Sequence, residues 1–154
     1  MALAKINTVA IVGGTHGNEF SGIYLERRYR QQPELMQRSS FSCKTLFANP
    51  QAHEANRRYL HSDLNRQFKT VDLADPTLSN YEQSRAKVIN AELGPKGAAK
   101  TDFIIDLHNT TSNMGPCVIL TQTGPLYNQL AAYVKLKMPK AVISRDEDHF
   151  AQED

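Results

Sequence analysis

Short apolar runs that end at glycine, asparagine or histidine recur along the chain. Thr8–Val12 (TVAIV) ends at a double glycine, Lys44–Ala48 (KTLFA) at Asn-Pro, and Phe103–Leu107 (FIIDL) at a histidine. Runs of this length and composition are typical of buried strands in a parallel sheet. Cys117–Leu120 (CVIL) predicts a further strand, and Ala141–Ile143 predicts the beginning of another.

Between these strands, apolar residues recur near helical spacing. Three stretches predict helices on this basis: Glu19–Arg30, Tyr81–Leu93 and Pro125–Met138. In the first of them Phe20, Ile23 and Tyr24 form the expected apolar face, and Gly94 stops the second. Asn49-Pro50 marks a turn that opens a short helix, since proline is tolerated in a first turn.

Strands and helices alternate, which predicts an α/β fold with a layered sheet. Ligands bind such sheets at the carboxyl ends of the strands. Polar groups gather at three of these ends: His16 and Glu19 follow the first strand, 58–66 the second, and His108 ends the third. We therefore expect these groups to meet at one edge of the sheet.

Composition restricts the class of protein. A chain of 154 residues that is 40% hydrophobic and 22% charged suits one domain with a core. A net charge of +2 gives no reason to expect nucleic acid as a partner. No apolar run approaches the roughly 20 residues of a membrane span. Two cysteines without a Cys-x-x-Cys pair, and a start without a convincing signal peptide, predict a cytoplasmic protein.

The segment Gly13–Glu19 (GGTHGNE) carries a candidate metal site. His16 and Glu19 are three residues apart, so on a helical turn they face the same way. Zinc binds imidazole nitrogen and carboxylate oxygen, and catalytic sites use three protein ligands and water. His108 is the expected third ligand. A His-x-x-Glu pair alone is a weak pattern, and the glycines alone fit a tight turn, but the context of strand ends favours a metal site.

Asp106 lies two residues before His108 and shares its face of the strand. Zinc-binding histidines usually donate their second nitrogen to a carboxylate or carbonyl. We expect Asp106 to be such a partner, to His16 in particular. The alternative is a strand-end aspartate that caps the following loop.

The segment Asn56–Phe68 (NRRYLHSDLNRQF), here called the basic loop, contains Arg57, Arg58, Asn65 and Arg66. A guanidinium group matches a carboxylate with a planar fork, and asparagine adds a neutral donor. An Asn-Arg pair beside a metal would orient an acidic substrate, and a second arginine would stabilise an oxyanion. The alternative is a solvated cationic loop in which Asp63 pairs with one of the arginines.

The motifs GGTHGNE, DLNRQF and DLHNTTSNMG, in this order, resemble those of the aspartoacylase and aminoacylase 3 family. That family lies within the zinc carboxypeptidase-like proteins, together with succinylglutamate desuccinylase. The resemblance extends from about Thr8 to about Leu120. It implies a three-layer α/β fold with a mixed sheet flanked by helices, of which residues 1–154 would be a C-terminally truncated catalytic domain.

The resemblance also implies roles at the metal. His16, Glu19 and His108 would bind one zinc ion per chain. Arg58 would help to polarise the scissile carbonyl and hold the oxyanion. Zinc acts as a Lewis acid and lowers the pKa of bound water to about 7, which suits amide hydrolysis at neutral pH.

The substrate implied by the resemblance is a small acidic N-acyl amino acid. Asn65 and Arg66 would bind its α-carboxylate. N-acetylaspartate is the leading candidate, and an N-acyl-aromatic amino acid or succinylglutamate are the alternatives. The reaction would release a carboxylate and the free amino acid.

The family's general-base glutamate lies on a strand well beyond the third metal ligand, and this chain ends at Asp154 before such a strand. Glu147 and Glu153 lie in a polar tail and are not nominated as the base. General acid–base catalysis contributes ~10²–10⁴-fold, so we expect slow turnover by the chain alone. We also expect it to be poorly stable, to associate with itself, or to be a piece of a longer polypeptide, because a sheet without its later strands exposes an edge.

Two readings remain beside the enzyme. A non-catalytic domain that binds zinc or a carboxylate would agree with the absent base. An α/β domain in which the histidine, glutamate and arginine residues are incidental is disfavoured, because three separate motifs coincide at strand ends.

Overall fold

The computed structural model describes residues 5–95 and 97–146. Their contacts divide into two units, one formed by Ile6–Asn109 and one that includes the chain from Thr110 onward. All the candidate site residues lie in the first unit. Glu147 and Glu153 of the polar tail lie outside the described residues.

Three parallel strands form the sheet of the first unit. They are β1 (Thr8–Gly13), β2 (Ser42–Phe47) and β3 (Phe103–Leu107), in the order β2-β1-β3. The register places Gly13 opposite both Phe47 and Leu107, so the three strands end level with one another. This confirms the predicted strands and brings the segments that follow them to one edge of the sheet.

The described residues of this unit form the helices α1 (Phe20–Gln31), α2 (Pro50–Glu54), α3 (Thr70–Ala74) and α4 (Tyr81–Leu93) beside the sheet. Asn49 caps α2 by accepting the Ala52 amide, as the Asn-Pro turn predicted. Asn80 and Gln83 form a reciprocal capping box at the start of α4. Short 3₁₀ turns occupy Pro33–Leu35 and Leu64–Arg66. The five-residue α3 was not predicted, because it is too short to show a helical period.

The sheet lies between two helical layers. The face that carries Ala10 and Val12 packs against α4, and their common core consists of Ala10, Val12, Leu46, Ala48, Leu64, Ala86, Ile89 and Leu93. Alternate residues of a strand point to opposite faces. Gly13 lies on the other face, where a side chain would collide with the backbone of Gly22 in α1. The three-layer α/β arrangement is thereby confirmed.

The buried face of α1 differs from the predicted one. Phe20 and Tyr24 are exposed, whereas Gly22, Ile23 and Glu26 are buried. The reason is the close approach of the helix to the sheet, since a Cβ on Gly22 would lie 2.5 Å from the carbonyl oxygen of Leu107. Only glycine fits at position 22, and with Gly22, Ile23 and Glu26 turned toward the sheet, Phe20 and Tyr24 lie on the outward side of the helix.

The strand β3 was expected to be buried and is only partly so. Ile104 is 49% exposed and Ile105 is 41% exposed. The strand lies at one end of the order β2-β1-β3, so within the described parts of the chain it has a strand neighbour on one side only. A continuous apolar run predicts burial but does not tell where a strand stands within a sheet.

The second unit contains β4 (Cys117–Leu120), α5 (Pro125–Lys137) and β5 (Val142–Arg145). All three elements were predicted: β4 has the predicted bounds, α5 ends one residue before the predicted Met138, and β5 begins one residue after the predicted Ala141. The strands β4 and β5 pair in parallel. Every strand pair among residues 5–95 and 97–146 is parallel, so the antiparallel pairs of a mixed sheet do not occur there. Among the same residues, none of the helices has the length and apolar character to cross a membrane.

Candidate metal centre

The turn after β1 places two candidate ligands side by side. The Glu19 amide donates to the carbonyl of His16 at 3.1 Å, which closes the turn between them. Gly14 has a φ of +73°, a conformation that glycine adopts without strain. His16 is only 2% exposed, and Glu19 is also buried. Their polar groups are therefore held away from solvent.

The Glu19 carboxylate joins the two histidines. Its Oε1 lies 2.8 Å from Nδ1 of His16, and its Oε2 lies 2.9 Å from Nδ1 of His108. The two imidazole centroids are 5.0 Å apart. Candidate ligand atoms of all three residues lie within 4.8 Å of one another. The structure thus brings together the three residues that the sequence selected as metal ligands.

Each imidazole also contacts an aspartate through its other nitrogen. Nε2 of His16 lies 2.9 Å from Asp63, and Nε2 of His108 lies 2.8 Å from Asp106. The expected pairing of Asp106 with His16 is therefore replaced by a pairing with His108. Thr15 donates its hydroxyl to the same carboxylate, which fixes the orientation of Asp106.

Hydrogen bonds within the cluster shift the pKa values of Glu19 and His108. Burial raises the pKa of Glu19, but hydrogen bonds from His108, His16 and the Asn109 amide outweigh it and hold the pKa below its usual value. Hydrogen bonds to Asp106 and Glu19 raise the pKa of His108 to about 10. The carboxylates therefore favour a positive charge on His108, and a metal ion bound at its Nδ1 would take the place of a proton.

The basic loop reaches this centre through Arg58. Its Nη1 lies 3.4 Å from Glu19 and its Nη2 lies 3.5 Å from Asp63. The carbonyl of Arg58 accepts the Gly17 amide, which ties the loop to the His-x-x-Glu turn. The guanidinium group is half-exposed, so one side of it remains open to a ligand.

Asn65 and Arg66 form part of the 3₁₀ turn in the same loop, and both are exposed. The Asn65 amide donates to Asp63, while the side chains of Asn65 and Arg66 make no hydrogen bond or ion pair with any described residue. Both side chains are thus available to a ligand.

A cleft of about 310 Å³ adjoins this side of the site. Phe68, Ile89 and Ile104 contribute to its apolar lining, and Asn65 and Asp106 contribute polar atoms. The cleft therefore borders the metal centre through Asp106 and the basic loop through Asn65.

The donor set fits zinc. Two imidazole nitrogens and a carboxylate oxygen are ligands that zinc prefers. In a tetrahedron with bonds of ~2.0–2.1 Å, ligand atoms stand about 3.3 Å apart. The contacts of 2.8 and 2.9 Å from Glu19 to the two histidines involve different carboxylate oxygens, and the candidate ligand atoms of the three residues lie within 4.8 Å of one another, so a bound ion would draw the three side chains into a tighter arrangement. The two aspartates would then hold each histidine by its remaining nitrogen, an arrangement common around zinc.

Sequence reasoning missed two contributors to this site. Asp63 contacts His16 as well as Arg58, whereas only a pairing with an arginine was considered. The Asn109 amide donates to Glu19 at 2.8 Å. The DLNRQF motif pointed to the first of these, but a backbone amide leaves no signal in a sequence.

The chain resembles known proteins over nearly its whole length. A family model described as the succinylglutamate desuccinylase/aspartoacylase catalytic domain matches residues 5–153. A probable aspartoacylase of Trichodesmium erythraeum is 52% identical over 141 residues, which are 92% of this chain and 48% of that protein. An N-acyl-aromatic-L-amino acid amidohydrolase of Rattus norvegicus is 46% identical over 135 residues, which are 85% of this chain and 42% of that protein.

Solved structures show the same fold. Murine aminoacylase 3 superimposes with a TM-score of 0.82 at 41% sequence identity, over 94% of this chain and 48% of that one. The chain thus spans about half the length of the curated relatives it matches.

Proposed function

The chain belongs to the succinylglutamate desuccinylase/aspartoacylase catalytic-domain family, and from that premise we propose that it provides the zinc-binding and carboxylate-binding half of an enzyme that hydrolyses the amide bond of N-acyl amino acids. N-acetylaspartate is the proposed substrate. The relatives are named as aspartoacylase and as amidohydrolase, which supports hydrolysis of this bond type.

One observation carries the proposal. Nδ1 of His16 and Nδ1 of His108 converge on the single carboxylate of Glu19, although His108 is separated from Glu19 by 89 positions in the chain. Three convergent N and O donors supported by two aspartates are a recurrent zinc arrangement. Zinc held there would supply Lewis-acid chemistry for amide hydrolysis near neutral pH.

Arg58 is assigned to the reacting carbonyl. Its guanidinium group borders the ligand cluster and stays half-exposed, so it can donate to the carbonyl oxygen of a substrate. Negative charge grows on that oxygen as the reaction proceeds. A fixed cation therefore stabilises the transition state more than it stabilises the bound substrate. Arg58 would thereby lower the barrier.

Asn65 and Arg66 are assigned to the α-carboxylate. Arg66 offers a planar fork that no described carboxylate occupies, and Asn65 adds a neutral donor. Asp63 contacts Nε2 of His16 and accepts the backbone amide of Asn65, so the turn that carries Asn65 and Arg66 is anchored beside the metal centre. Substrates with a carboxylate near the scissile amide would suit this arrangement.

The acidic residues of the cluster are assigned to holding and orienting. Glu19 contacts both histidines, and Asp63 and Asp106 contact one each. A carboxylate engaged in this way is a poor proton acceptor, so none of the three is proposed as the general base.

The test is metal content after dialysis, on the wild type and on His16→Ala. About one zinc per chain, lost in the variant, is the expected result. Zinc in neither protein would overturn the proposal for this chain. The zinc-loaded chain should then bind N-acetylaspartate in calorimetry, and Arg66→Ala should weaken that binding while zinc content stays the same.

A second candidate substrate is an N-acyl-aromatic amino acid. The apolar lining of the 310 Å³ cleft beside Asn65 favours it, since an aromatic side chain would be buried there. Binding and hydrolysis of N-acetyltyrosine measured beside N-acetylaspartate separates the two candidates.

A further inference from the structure

Glu82 is a buried carboxylate outside the metal centre. It is the second residue of α4 and is 0% exposed. Its oxygens accept three consecutive backbone amides, from Leu60 at 2.7 Å, His61 at 3.0 Å and Ser62 at 3.3 Å. A buried carboxylate is costly unless it is well bonded, so this pattern accounts for its ionised state.

Backbone amides provide most of the hydrogen bonds that stabilise the negative charge of Glu82. Asn49 donates its amide to Oε1 at 3.4 Å, and the His61 imidazole lies 3.6 Å away. Burial raises the pKa of Glu82, but the amides of Leu60, His61 and Ser62 together with Asn49 hold it below its usual value.

The three amides belong to the basic loop, directly before Asp63. That loop is irregular apart from the 3₁₀ turn Leu64–Arg66, so little of its own structure fixes its path. Ser62 adds a second tie by donating its hydroxyl to the side chain of Asn80, the cap of α4. The loop is thus attached to the start of α4 on one side and, through Arg58 and Asp63, to the metal centre on the other.

We propose that Glu82 is a positioning residue for the substrate: it sets the path of the basic loop and thereby places Arg58, Asn65 and Arg66 relative to the metal. The proposal rests on the function proposed above. A carboxylate has two oxygens and about four acceptor sites, which is what three adjacent amides and Asn49 require. Glutamine has the same size but replaces one oxygen by a donor, which would face N–H groups.

The decisive variant is Glu82→Gln, with Glu26→Gln as the matched control. Glu26 is also a helical glutamate and is 1% exposed, but it has no bond to the basic loop. Hydrogen exchange of individual amides is measured by NMR on the zinc-loaded chain, and binding of N-acetylaspartate is measured by calorimetry.

In Glu82→Gln, we expect amides 60–66 to exchange at least tenfold faster, while those of β1 exchange as in the wild type. Affinity for N-acetylaspartate should fall at least tenfold at an unchanged one zinc per chain. Glu26→Gln should show neither effect. Wild-type exchange in the loop, or a uniform acceleration shared with Glu26→Gln, would overturn the proposal, and so would unchanged affinity.

Two further readouts keep the outcome clear. If Glu82→Gln does not fold, Glu82→Asp retains the charge with a side chain one methylene shorter. It should raise loop exchange and weaken ligand binding about threefold or more, and wild-type behaviour would overturn the proposal. If the wild type binds no zinc or no N-acetylaspartate, the proposed function fails, while exchange of amides 60–62 still decides whether Glu82 holds the loop.

Discussion

At the scale of single residues, the candidate centre depends on carboxylates that pair with imidazoles. Glu19 faces Nδ1 of both histidines, and Asp63 and Asp106 face Nε2 of one each. A carboxylate on the outer nitrogen fixes the ring and makes the inner nitrogen a better ligand. The metal affinity therefore depends on residues that would not touch the metal.

Asp63→Ala tests this dependence. The change leaves Nε2 of the nearly buried His16 without its partner, and we expect zinc affinity to fall ~10–100-fold. Competition with a chromophoric chelator measures the zinc affinity of each protein. Asp75→Ala is the control, because that carboxylate bonds to its own neighbour Thr77 and lies outside the site. Equal affinities of the wild type and Asp63→Ala would refute the assigned role.

At the scale of elements, the site depends on where β1, β3 and α1 meet. The register brings Gly13 and Leu107 level, and α1 crosses β3 closely enough that its residue 22 has no room for a side chain. His108 follows directly after Leu107. The position of the third ligand is therefore coupled to the packing of the helix on the sheet.

Gly22→Ala tests this crossing. In an ordinary helix the change would stabilise by roughly 0.5–1 kcal/mol. Here the new Cβ would lie 2.5 Å from the Leu107 carbonyl oxygen, so we expect a loss of ~1–3 kcal/mol instead. Urea unfolding measures whether the free energy of unfolding rises or falls in the variant. Tyr24→Ala on the same helix is exposed and should change stability little.

A second prediction at this scale concerns pH. Asp102, directly before β3, accepts the amides of Asn7 and Thr8 and the Thr8 hydroxyl, which together lower its pKa from the ordinary 3.8. A carboxyl with a lowered folded pKa stabilises the fold above its unfolded pKa and loses that contribution as pH falls. Asp102→Asn should therefore reduce the drop in urea midpoint between pH 6 and pH 3. A drop in the urea midpoint equal to that of the wild type would show that the hydrogen bonds of Asp102 to Asn7 and Thr8 do not contribute to the pH dependence of stability.

At the scale of the whole molecule, the unit Ile6–Asn109 contains the complete candidate centre. The candidate ligands follow β1 and β3, which lie far apart in sequence, and hydrogen bonds to Glu19 hold the two histidines together. The same unit exposes Ile104 and Ile105 on its edge strand. Self-association of the chain stays a prediction that sedimentation would test.

Zinc should stabilise this unit. A ligand that binds only the folded state adds about 2.7 kcal/mol when its free concentration is 100 times Kd. We expect thermal midpoints to rise with zinc and to fall after treatment with a chelator, and His108→Ala to abolish the response. Magnesium at the same concentration is the control, because it prefers oxygen ligands. A melting temperature that does not respond to zinc would count against an assembled site.

The sequence by itself determined the strands, the helices other than the five-residue α3, and the identity of the three candidate ligands. Apolar runs and helical spacing are local properties, and the polar motifs lie where those runs stop. It also indicated which loop carries the cationic groups. These features depend on neighbours a few residues apart, so a linear pattern is enough to reveal them.

Only the tertiary structure decided which carboxylate serves which histidine, how far β3 is exposed and what holds the basic loop. Asp63 meets His16 across 47 positions, and Glu82 meets the loop amides across about 20. Such pairings arise because β1, β2 and β3 end at the same edge of the sheet and α4 packs against one face of it. Their free energy depends on burial and on the distances between groups, and neither quantity is a local property of the chain.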